Sequence, residues 1–318
     1  MTTPTLPFGN GWYRVATADE IAPGAVKPVR FFGRELVLLR TEANQPRLLD
    51  AFCPHLGAHL GYGGVVEGDT IVCPFHAWRF SADGVCVSVP NARTPPPLVG
   101  KQCIRSWPIT ERNHCIYAWY HARGQSPAYE VEEISELAAS DQWADIVWKQ
   151  WSVRCQAPDI IENLYDVAHF ASVHKVDVEL HCQFDGHRGE ITTRPADGGR
   201  HGNVTSHGLV RTYLNGPGQG WSLHEQLLPF VVLTHVTPVD HEQVIWHMGI
   251  AISRAMDSAI VRKWLVKRIH SLAEEDIPIF EHKVYRASPQ LCAEDAPIAE
   301  FREWYRQFWG EPARGVAV

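Results

Sequence analysis

The stretch that decides the fold runs from residue 53 to residue 76 and reads CPHLGAHLGYGGVVEGDTIVCPFH. One end carries Cys53 and His55, and the other end carries Cys73 and His76. Each of two short loops therefore offers one thiolate and one imidazole, and the four side chains together can form a single metal site.

The mixed composition of the two ligand pairs bears on which metal they hold. Structural zinc sites commonly take their ligands from C-x₂₋₄-C and H-x₃₋₅-H pairs, so that each pair holds like ligands. A Rieske [2Fe–2S] cluster needs mixed pairs, because two histidines replace two cysteines on one of its irons. The spacing therefore favours the cluster, and a tetrahedral zinc site is the alternative.

These residues resemble the Rieske family, whose ligand motif here has the form C-x-H-x17-C-x2-H. Family members that act as electron-transfer subunits carry an extra Cys in each loop and a Ser shortly after the last ligand. Here those positions hold Ala58, Phe75 and Trp78. Hydrogen bonds to the cluster sulfurs raise its reduction potential, so the loss of these donors indicates a low-potential cluster. The resemblance therefore implies a cluster of the oxygenase type.

Length and composition indicate a globular chain. Its 318 residues, of which 45% are hydrophobic, allow about two domains. A net charge of -7 and a pI near 6.2 argue against a nucleic-acid or anionic-membrane partner. Because the N-terminus lacks a signal-like segment and no apolar run approaches about 18 residues, the sequence predicts a cytoplasmic protein without a membrane span.

The predicted fold class is α+β, with two domains. Short β-rich runs separated by Pro, Gly and Asn cover residues 10–125, and Asp83-Gly84 is typical of a hairpin turn. We interpret this region as an N-terminal Rieske β-sandwich domain. A catalytic domain is predicted over residues 145–310, and the resemblance implies an antiparallel sheet with helices, of the helix-grip type.

Local signals predict elements within the second domain. Asp159 fits an N-cap and Glu162 stands three residues on, as in a capping box, so a helix is expected from Ile160 to about Ala171. Pro278 predicts a kink or a restart in a later helix. Strands are expected near 188–193, 204–213, 221–236 and 244–253, and helices over 258–286 and 299–309.

A second candidate metal site lies in residues 163–174, NLYDVAHFASVH. On an ideal helix Asp166 and His169 share a face, whereas His174 lies five residues beyond His169 and points away from it. The helix must therefore end or bend near Ser172 if both His bind one ion. By itself, a pair of His at this spacing is more often a coincidence at a helix end than a metal site.

The same stretch is similar to the N-x2-D-x2-H-x4-H motif of Rieske non-haem iron oxygenases. That resemblance implies that His169 and His174 hold a mononuclear Fe(II), that a distant carboxylate completes a facial triad, and that Asn163 lies near the iron. It also implies a head-to-tail homotrimer. In that trimer the Asp166 carboxylate would act in catalysis by bonding both His169 and a Rieske histidine of the next subunit, His76.

Three neighbouring acids are candidates for the third iron ligand, namely Glu274, Glu275 and Asp276. We prefer Asp276, because residues 275–283 and 301–308 resemble the bacterial ketosteroid ring hydroxylases, of the 3-ketosteroid 9α-hydroxylase type. Any one of these acids could instead be a solvated residue on a helix face.

The resemblance implies the terminal oxygenase component of a multicomponent Rieske monooxygenase, which uses O2. Since no G-x-G-x-x-G follows a strand, electrons would come from an external ferredoxin, an NAD(P)H-dependent flavin reductase, or both. Alternatives within the class are O- or N-demethylation, aromatic ring dioxygenation and desaturation. A plain electron carrier is a distant alternative, because it would not need the second metal site or the residues that follow it.

The substrate is expected to be bulky and hydrophobic, steroid-like or polycyclic, because the expected pocket lining is apolar. The remaining histidines, His224 among them, are interpreted as ordinary core or surface residues. The predicted substrate-lining residues are Phe170, Val173, Phe184, Leu209, Leu223, Leu227, Val232 and Trp246.

Overall fold

The computed structural model describes residues 6–138, 141–199, 208–225 and 228–310. Its contacts divide the chain into two compact units. The smaller unit comprises residues 14–120 and 124–128, and the larger unit comprises 1–13, 121–123 and 129–318. The domain boundaries expected from the sequence, 10–125 and 145–310, stay predictions.

The N-terminal part of the chain is built from short antiparallel strands in three sheets. Their orders are β1-β11-β10, β2-β3-β4-β9 and β5-β6-β7-β8. The strands are β1 (Gly11–Thr17), β2 (Val26–Phe31), β3 (Arg34–Arg40), β4 (Pro46–Asp50), β5 (Val65–Glu67), β6 (Thr70–Val72), β7 (Arg79–Ser81), β8 (Cys86–Ser88), β9 (Ser106–Trp107), β10 (Ile109–Arg112) and β11 (Cys115–Tyr120).

The hairpin predicted at Asp83-Gly84 joins β7 and β8. Gly84 has φ +79°, and its N–H donates to the Ser81 carbonyl at 2.9 Å. A Cβ at this position would lie 2.1 Å from the Ile104 carbonyl oxygen. Both the backbone conformation and the close approach therefore require glycine.

The larger unit is a seven-stranded antiparallel sheet with helices packed on it. Its strand order is β12-β18-β17-β16-β15-β14-β13. The strands are β12 (Val147–Val153), β13 (Val178–Asp185), β14 (Arg188–Pro195), β15 (Val210–Asn215), β16 (Gln219–His224), β17 (Phe230–Pro238) and β18 (Val244–Ile252). The helices are α1 (Ser135–Ala138), α2 (Ala157–Glu162), α3 (Val167–Ser172), α4 (Ala259–His282) and α5 (Ala296–Tyr305).

One face of this sheet forms the main core of the larger unit. Val232 of β17 and Trp246 of β18 belong to the same buried cluster as Ile160 of α2, Leu265 of α4 and Phe301 of α5. The opposite face packs a second cluster that includes Leu223 and Leu233. Residues two apart in a strand share a face, so the alternation along β16 and β17 decides which side chains reach the helices.

The helix expected from Ile160 to Ala171 is wrong in two respects. It begins earlier, since Gln156 is the N-cap and Asp159 is the third residue of α2, whose carboxylate accepts the Gln156 N–H at 3.2 Å. Pro158 lies in the first turn, where its missing N–H costs no hydrogen bond. The helix is also broken at Asp166, which has an extended backbone and caps α3.

Other differences concern strand and helix limits. The expected strand 221–236 is two strands, β16 and β17. Strand β13 was not predicted, although its sequence VELHCQFD alternates between apolar and polar residues. Residues 204–207 lie outside the described part of the chain. Ser258 is the N-cap of α4, with its Oγ accepting the Val261 N–H at 3.3 Å, and Pro278 lies inside that helix without ending it.

No helix in the described ranges combines the length and the apolar character that crossing a bilayer requires.

Two candidate metal centres and a cavity

The two predicted cluster-ligand loops of the smaller unit share one backbone pattern. In the first ligand loop, residues 53–58, the Cys53 N–H donates to the Ala58 carbonyl at 2.8 Å. In the second ligand loop, residues 73–78, the Cys73 N–H donates to the Trp78 carbonyl, also at 2.8 Å. Each loop is thus closed five residues after its Cys, which holds the intervening His in a fixed place.

A left-handed residue completes each loop. Gly57 has φ +75° and Ala77 has φ +56°, and both N–H groups donate back to the carbonyl of the Cys four residues earlier, at 3.0 and 3.1 Å. Glycine adopts this conformation freely, whereas a non-glycine residue there costs of the order of 1 kcal/mol. The second loop therefore retains backbone strain next to a ligand.

The four predicted cluster ligands differ in burial, with the two thiols buried and the two imidazoles more exposed. Cys53 and Cys73 are each 3% exposed, His55 is exposed, and His76 is half-buried. The two imidazole rings have centroids 4.6 Å apart with an interplanar angle of 68°. Two buried thiols inside and two imidazoles outside form the donor set that a Rieske cluster requires, because one iron takes two Cys and the other takes two His.

Burial also affects the ionisation of the thiols. Burial first, and then the neighbouring Cys73 thiol, raise the pKa of the Cys53 thiol to about 11, against the lowering effect of a backbone hydrogen bond at His55. A thiol becomes a thiolate in such surroundings when a metal coordinates it. Trp78 stacks on the His55 ring at 4.4 Å and 8°, which covers one face of that imidazole.

The predicted iron ligands of the larger unit also converge. One nitrogen each of His169 and His174 and one oxygen of Asp276 all lie within 4.8 Å of one another, and the three residues are buried. His169 belongs to α3, His174 follows it, and Asp276 belongs to α4. Helix α3 ends at Ser172, where the sequence required an end or a bend for both His to meet one ion.

Hydrogen bonds determine which ring nitrogen of each histidine faces the candidate iron site. Nδ1 of His169 lies 2.6 Å from the backbone carbonyl of Asp166, and Nδ1 of His174 lies 2.9 Å from Oε2 of Glu275. Both partners are acceptors, so each Nδ1 carries the proton. The Nε2 lone pairs are then free for a metal, and Nε2 of His174 lies 3.3 Å from Oδ1 of Asp276.

The side-chain amide of Asn163 lies between two of these candidate ligands. Nδ2 of Asn163 lies 3.1 Å from Nε2 of His169 and 3.1 Å from Oδ2 of Asp276. The NH2 group of the Asn163 amide thus faces the same acceptor atoms that could coordinate a cation. Two imidazoles and a carboxylate, with room for exchangeable ligands, form the donor set typical of non-haem Fe(II).

The two imidazoles differ in how their surroundings affect proton binding. Burial lowers the pKa of His169, with the Asp166 carbonyl acting in the opposite direction. Burial also tends to lower the pKa of His174, but hydrogen bonds to Asp276 and Glu275 outweigh it and raise the pKa overall. The site is therefore electronegative around His174, as a cation site should be.

Asp166 contacts His169 differently from the expectation. The carboxylate was predicted to bond the imidazole, but Oδ1 accepts the backbone N–H of His169 at 3.1 Å and so caps α3. The imidazole is held instead by the Asp166 carbonyl, because the chain breaks there and turns that carbonyl toward the ring. The role of Asp166 in positioning His169 is thus exerted through the backbone.

A cavity of about 240 Å³ opens beside the candidate iron ligands in the larger unit. Three of the predicted lining residues border it, namely Phe170, Val232 and Trp246. Val173, Phe184, Leu209 and Leu223 are not among its wall, and Leu227 lies outside the described residues. The wall also contains Ile160, Val176, Val178, Ile191, Val210, Met248, Ile269 and Leu272.

The lining predictions that are wrong have identifiable causes. Leu223 lies on the other face of the sheet, because Ser222 and His224 on either side of it face the cavity. Leu209 lies between two lining residues in the same way. Phe184 is on the helix-covered face but stacks on Trp304 of α5, at 5.0 Å, away from the cavity.

Several polar wall residues were not predicted, namely Thr193, Thr212, Ser222, His224 and Thr234, with Arg194 and Arg268. A signal for two of them is present in the sequence, since Ser222 and His224 alternate with the apolar Trp221 and Leu223. His224 was interpreted as an ordinary core or surface histidine and not as a metal ligand; it lies in the cavity wall, apart from the candidate iron ligands His169, His174 and Asp276.

Comparison with protein families identifies the chain. A model described as "Rieske [2Fe-2S] domain" matches residues 11–108, and one described as "3-Ketosteroid 9alpha-hydroxylase C-terminal domain" matches residues 118–309. The chain belongs to the Rieske non-haem iron oxygenases. The predicted family, enzyme class and α+β fold are therefore confirmed, and the cofactors of this oxygenase are a [2Fe–2S] cluster and a mononuclear iron.

Relatives of this Rieske oxygenase span nearly its whole length. Cholesterol 7-desaturase nvd 1 of Ciona intestinalis is 30% identical over 96% of this chain and 69% of its own. An oxygenase component of 3-ketosteroid-9-alpha-monooxygenase from Rhodococcus rhodochrous is 28% identical over 96% of this chain and 84% of its own.

Solved structures show the same fold. Dicamba monooxygenase bound to dicamba has a TM-score of 0.79 at 17% identity, covering 96% of this chain and 98% of its own. NdmA of Pseudomonas putida CBB5 with caffeine has a TM-score of 0.76 at 20% identity, covering 93% and 89%. At these identities the likeness concerns the architecture of the Rieske oxygenase.

Proposed function

We propose that this Rieske oxygenase is the terminal component of a multicomponent monooxygenase that hydroxylates a C–H bond of a steroid-like substrate. The observation that carries the proposal is the cavity, whose wall is formed largely by apolar side chains and also includes His169, His174 and Asp276. A hydrophobic molecule in this cavity would present a C–H bond directly to the iron site.

In this proposal each metal group has its own set of ligands. When bound, the cluster supplies electrons singly and the iron supplies the site of O2 activation. The Asp166 carbonyl and the Glu275 carboxylate hold the Nδ1 protons of the two histidines, so that both Nε2 atoms stay unprotonated. Apolar walls exclude water from the reacting C–H bond. The ligands are Cys53, His55, Cys73 and His76 for the cluster, and His169, His174 and Asp276 for the iron.

The electron path is proposed to run between subunits of a homotrimer. Among the described residues, the Asp166 carboxylate accepts a hydrogen bond through Oδ1, from His169. Its other oxygen is proposed to bond His76 of the next subunit, which would join the two metal groups through one residue. The electrons would come from a ferredoxin or an NAD(P)H-dependent flavin reductase, in keeping with the name "oxygenase component" of the Rhodococcus relatives. The protein is proposed to act in the cytoplasm.

Desaturation is a second candidate reaction. The observation that favours it is that relatives at 30% identity from Ciona intestinalis and Bombyx mori are named cholesterol 7-desaturases. A desaturase removes two hydrogens from neighbouring carbons, whereas a hydroxylase adds one oxygen. Because both reactions act on a C–H bond placed beside the iron, the same iron site can serve either. The position of the substrate in the cavity would decide between them.

Turnover with a panel of ketosteroids and sterols tests the proposal. The purified oxygenase would be supplied with a surrogate ferredoxin, its reductase and NADH, and products would be identified by mass spectrometry. A gain of one oxygen with matched O2 consumption supports hydroxylation, and a loss of two hydrogens supports desaturation. Failure of every steroid, beside turnover of a small aromatic acid or ether, would overturn the steroid assignment.

A further inference from the structure

Hydroxyl and imidazole groups form a polar strip on the sheet side of the cavity. The strip consists of Thr212 of β15, Ser222 and His224 of β16, and Thr234 of β17, all of which border the cavity. These strands are adjacent, and Thr212 is paired directly with Ser222. Ser222 and His224 share a face because they are two residues apart in one strand.

The strip contrasts with the rest of the same sheet face. Thr234 is partly accessible although the residues on either side of it in β17 are buried, so its accessible surface faces the cavity. Val232, two residues before it, is buried and apolar. Threonine is common in strands and needs no special reason there. Ser222 and His224 lack that explanation, because a covered face normally carries apolar side chains.

His224 is half-buried in the cavity wall, and its ring is held in place. Nε2 lies 3.2 Å from Oγ of Ser222, and the ring stacks on Phe230 at 4.0 Å between centroids. Burial lowers its pKa to about 3, so the imidazole is neutral at physiological pH. Within the part of the chain that the structure describes, its buried Nδ1 has no hydrogen-bond partner.

A neutral imidazole offers one donor and one acceptor, and a hydroxyl can serve as either. The His224–Ser222 pair can therefore present the Ser222 hydroxyl to a ligand as a donor or as an acceptor. Ser222 borders the cavity, where a ligand oxygen would give its hydroxyl a further hydrogen-bond partner. The strip is thus suited to a ligand that brings its own hydrogen-bonding group.

The charge around the cavity selects among such ligands. Both arginines of its wall are engaged by acids: Arg194 donates to Glu179 at 2.9 Å from Nε, and Arg268 donates to Glu275 at 3.5 Å. The strip itself offers hydroxyls and a neutral ring. A carboxylate placed against it would lose its hydration without gaining an opposite charge, whereas a ketone or an alcohol would lose little.

We propose that the polar strip binds an uncharged oxygen function of the substrate, a ketone or a hydroxyl group, and so determines which carbon faces the iron site. This inference rests on the proposed oxygenase cavity and adds the chemical class of the anchoring group. Ser222 and Thr212 are its key residues, because both carry a hydroxyl group and they are direct cross-strand partners.

Binding to the reduced holoenzyme without O2 tests the strip separately from turnover. The probes are 5α-androstane with its 3-ketone and its 3β-alcohol, and naphthalene with 2-naphthol and 2-naphthoic acid. Equilibrium dialysis with mass spectrometry would give each dissociation constant. The variants are Ser222→Ala and the isosteric Thr212→Val. Thr192→Val is the matched control, since Thr192 pairs with Arg211 and alternates with the wall residue Thr193.

The wild-type protein is expected to bind the ketone or the alcohol about tenfold more tightly than the parent hydrocarbon, the effect of one good hydrogen bond. Ser222→Ala and Thr212→Val should each reduce this ratio to about threefold or less without weakening hydrocarbon binding. Thr192→Val should keep the wild-type ratio. Two strip variants are used so that a folding defect in one leaves the other as a test.

Three outcomes separate the inference from the proposed function. An unchanged ratio in both strip variants, or equal losses for the hydrocarbon and its oxygenated partner, would overturn the strip even if steroids bind. Tightest binding of 2-naphthoic acid would overturn it too. If only naphthalene and 2-naphthol bind, and both strip variants lose the preference for 2-naphthol over naphthalene, the result would support the strip while overturning the steroid class.

Discussion

Nδ1 of His174 lies 2.9 Å from Oε2 of Glu275, and Nε2 of the same ring lies 3.3 Å from Oδ1 of Asp276. Two consecutive residues of α4 therefore contact opposite sides of one imidazole. Glu275 was weighed in the sequence as a possible iron ligand, but its geometry is that of a residue that orients a ligand. It fixes the tautomer and rotation of His174.

Removal of this contact should weaken iron binding. Glu275→Ala is expected to lower the affinity for Fe(II) by about 10- to 100-fold, because losing a partner of a ligating imidazole typically has that effect. Competition with a chelator measures it. Glu275→Gln, which keeps an acceptor oxygen, should recover most of the affinity. The neighbouring Glu274, paired with Lys149 at the surface, provides the control Glu274→Ala, which should match the wild type.

Replacement of single ligands should separate the two metal groups. His174→Ala is expected to remove the mononuclear iron and to keep the visible Rieske spectrum, because the two groups use different ligands in different units. Cys73→Ser should do the reverse. Iron per chain and the absorption spectrum would be measured together. Loss of both groups in either variant would contradict independent sites.

Asp166→Asn tests the proposed bridge between subunits. Asparagine is as good an N-cap as aspartate, and its backbone carbonyl is unchanged, so α3 and the contact with His169 should remain. Both metals should be retained, while cluster reoxidation in a single turnover with O2 and substrate slows by orders of magnitude. Reoxidation near the wild-type rate would remove Asp166 from the electron path.

A buried ion pair joins the beginning of the iron-site segment to α5. Arg302 donates to both carboxylate oxygens of Glu162, and the two side chains are 14% and 11% exposed. Arg302→Met should lower the free energy of unfolding by about 3 kcal/mol, since it leaves a buried charge without a partner. Arg306→Met breaks the exposed pair with Glu303 and should change it by about 0.5 kcal/mol or less. Urea unfolding would measure both.

His224 should make the protein sensitive to acid. Its pKa in the folded protein, about 3, lies below the ordinary value of 6.5, so protons bind the unfolded chain more tightly. The resulting stability is complete above pH 6.5 and is lost as the pH falls toward 3. Between pH 6 and pH 4 the wild type should lose up to about 1.4 kcal/mol more per pH unit than His224→Gln. The exposed His181→Gln should keep the wild-type slope.

The candidate cluster ligands could be named from the sequence because their signals are local, whereas His169 and His174 were singled out by the resemblance. Ligand spacing in a short loop, and the requirement for a bend near Ser172, depend on a few neighbouring residues. The Ser258 signal for the start of α4 is equally local. Resemblance then selected Asp276 among three adjacent acids, a choice that spacing alone left open.

The faces of the strands could not be predicted in this way. Leu223 was expected in the pocket because it is large and apolar, but a shift of one residue moves a strand residue to the other face. Register depends on pairing between distant strands, such as Thr212 with Ser222, which no local pattern reveals. The cap of α2 failed for a different reason. Asp159 followed by Glu162 fits the local capping rule, whereas the actual N-cap, Gln156, is not a residue type that this rule favours.

The shortness of α3 has a consequence for how the iron site assembles. Six residues do not form a stable helix alone, and this helix is cut from α2 by the break at Asp166. Coordination would tie its His169 to Asp276 of α4, so the ion would serve as a clamp across distant parts of the backbone. Loading with iron should then slow amide hydrogen exchange and proteolysis at residues 167–172, which would make metallation a step in the folding of the larger unit.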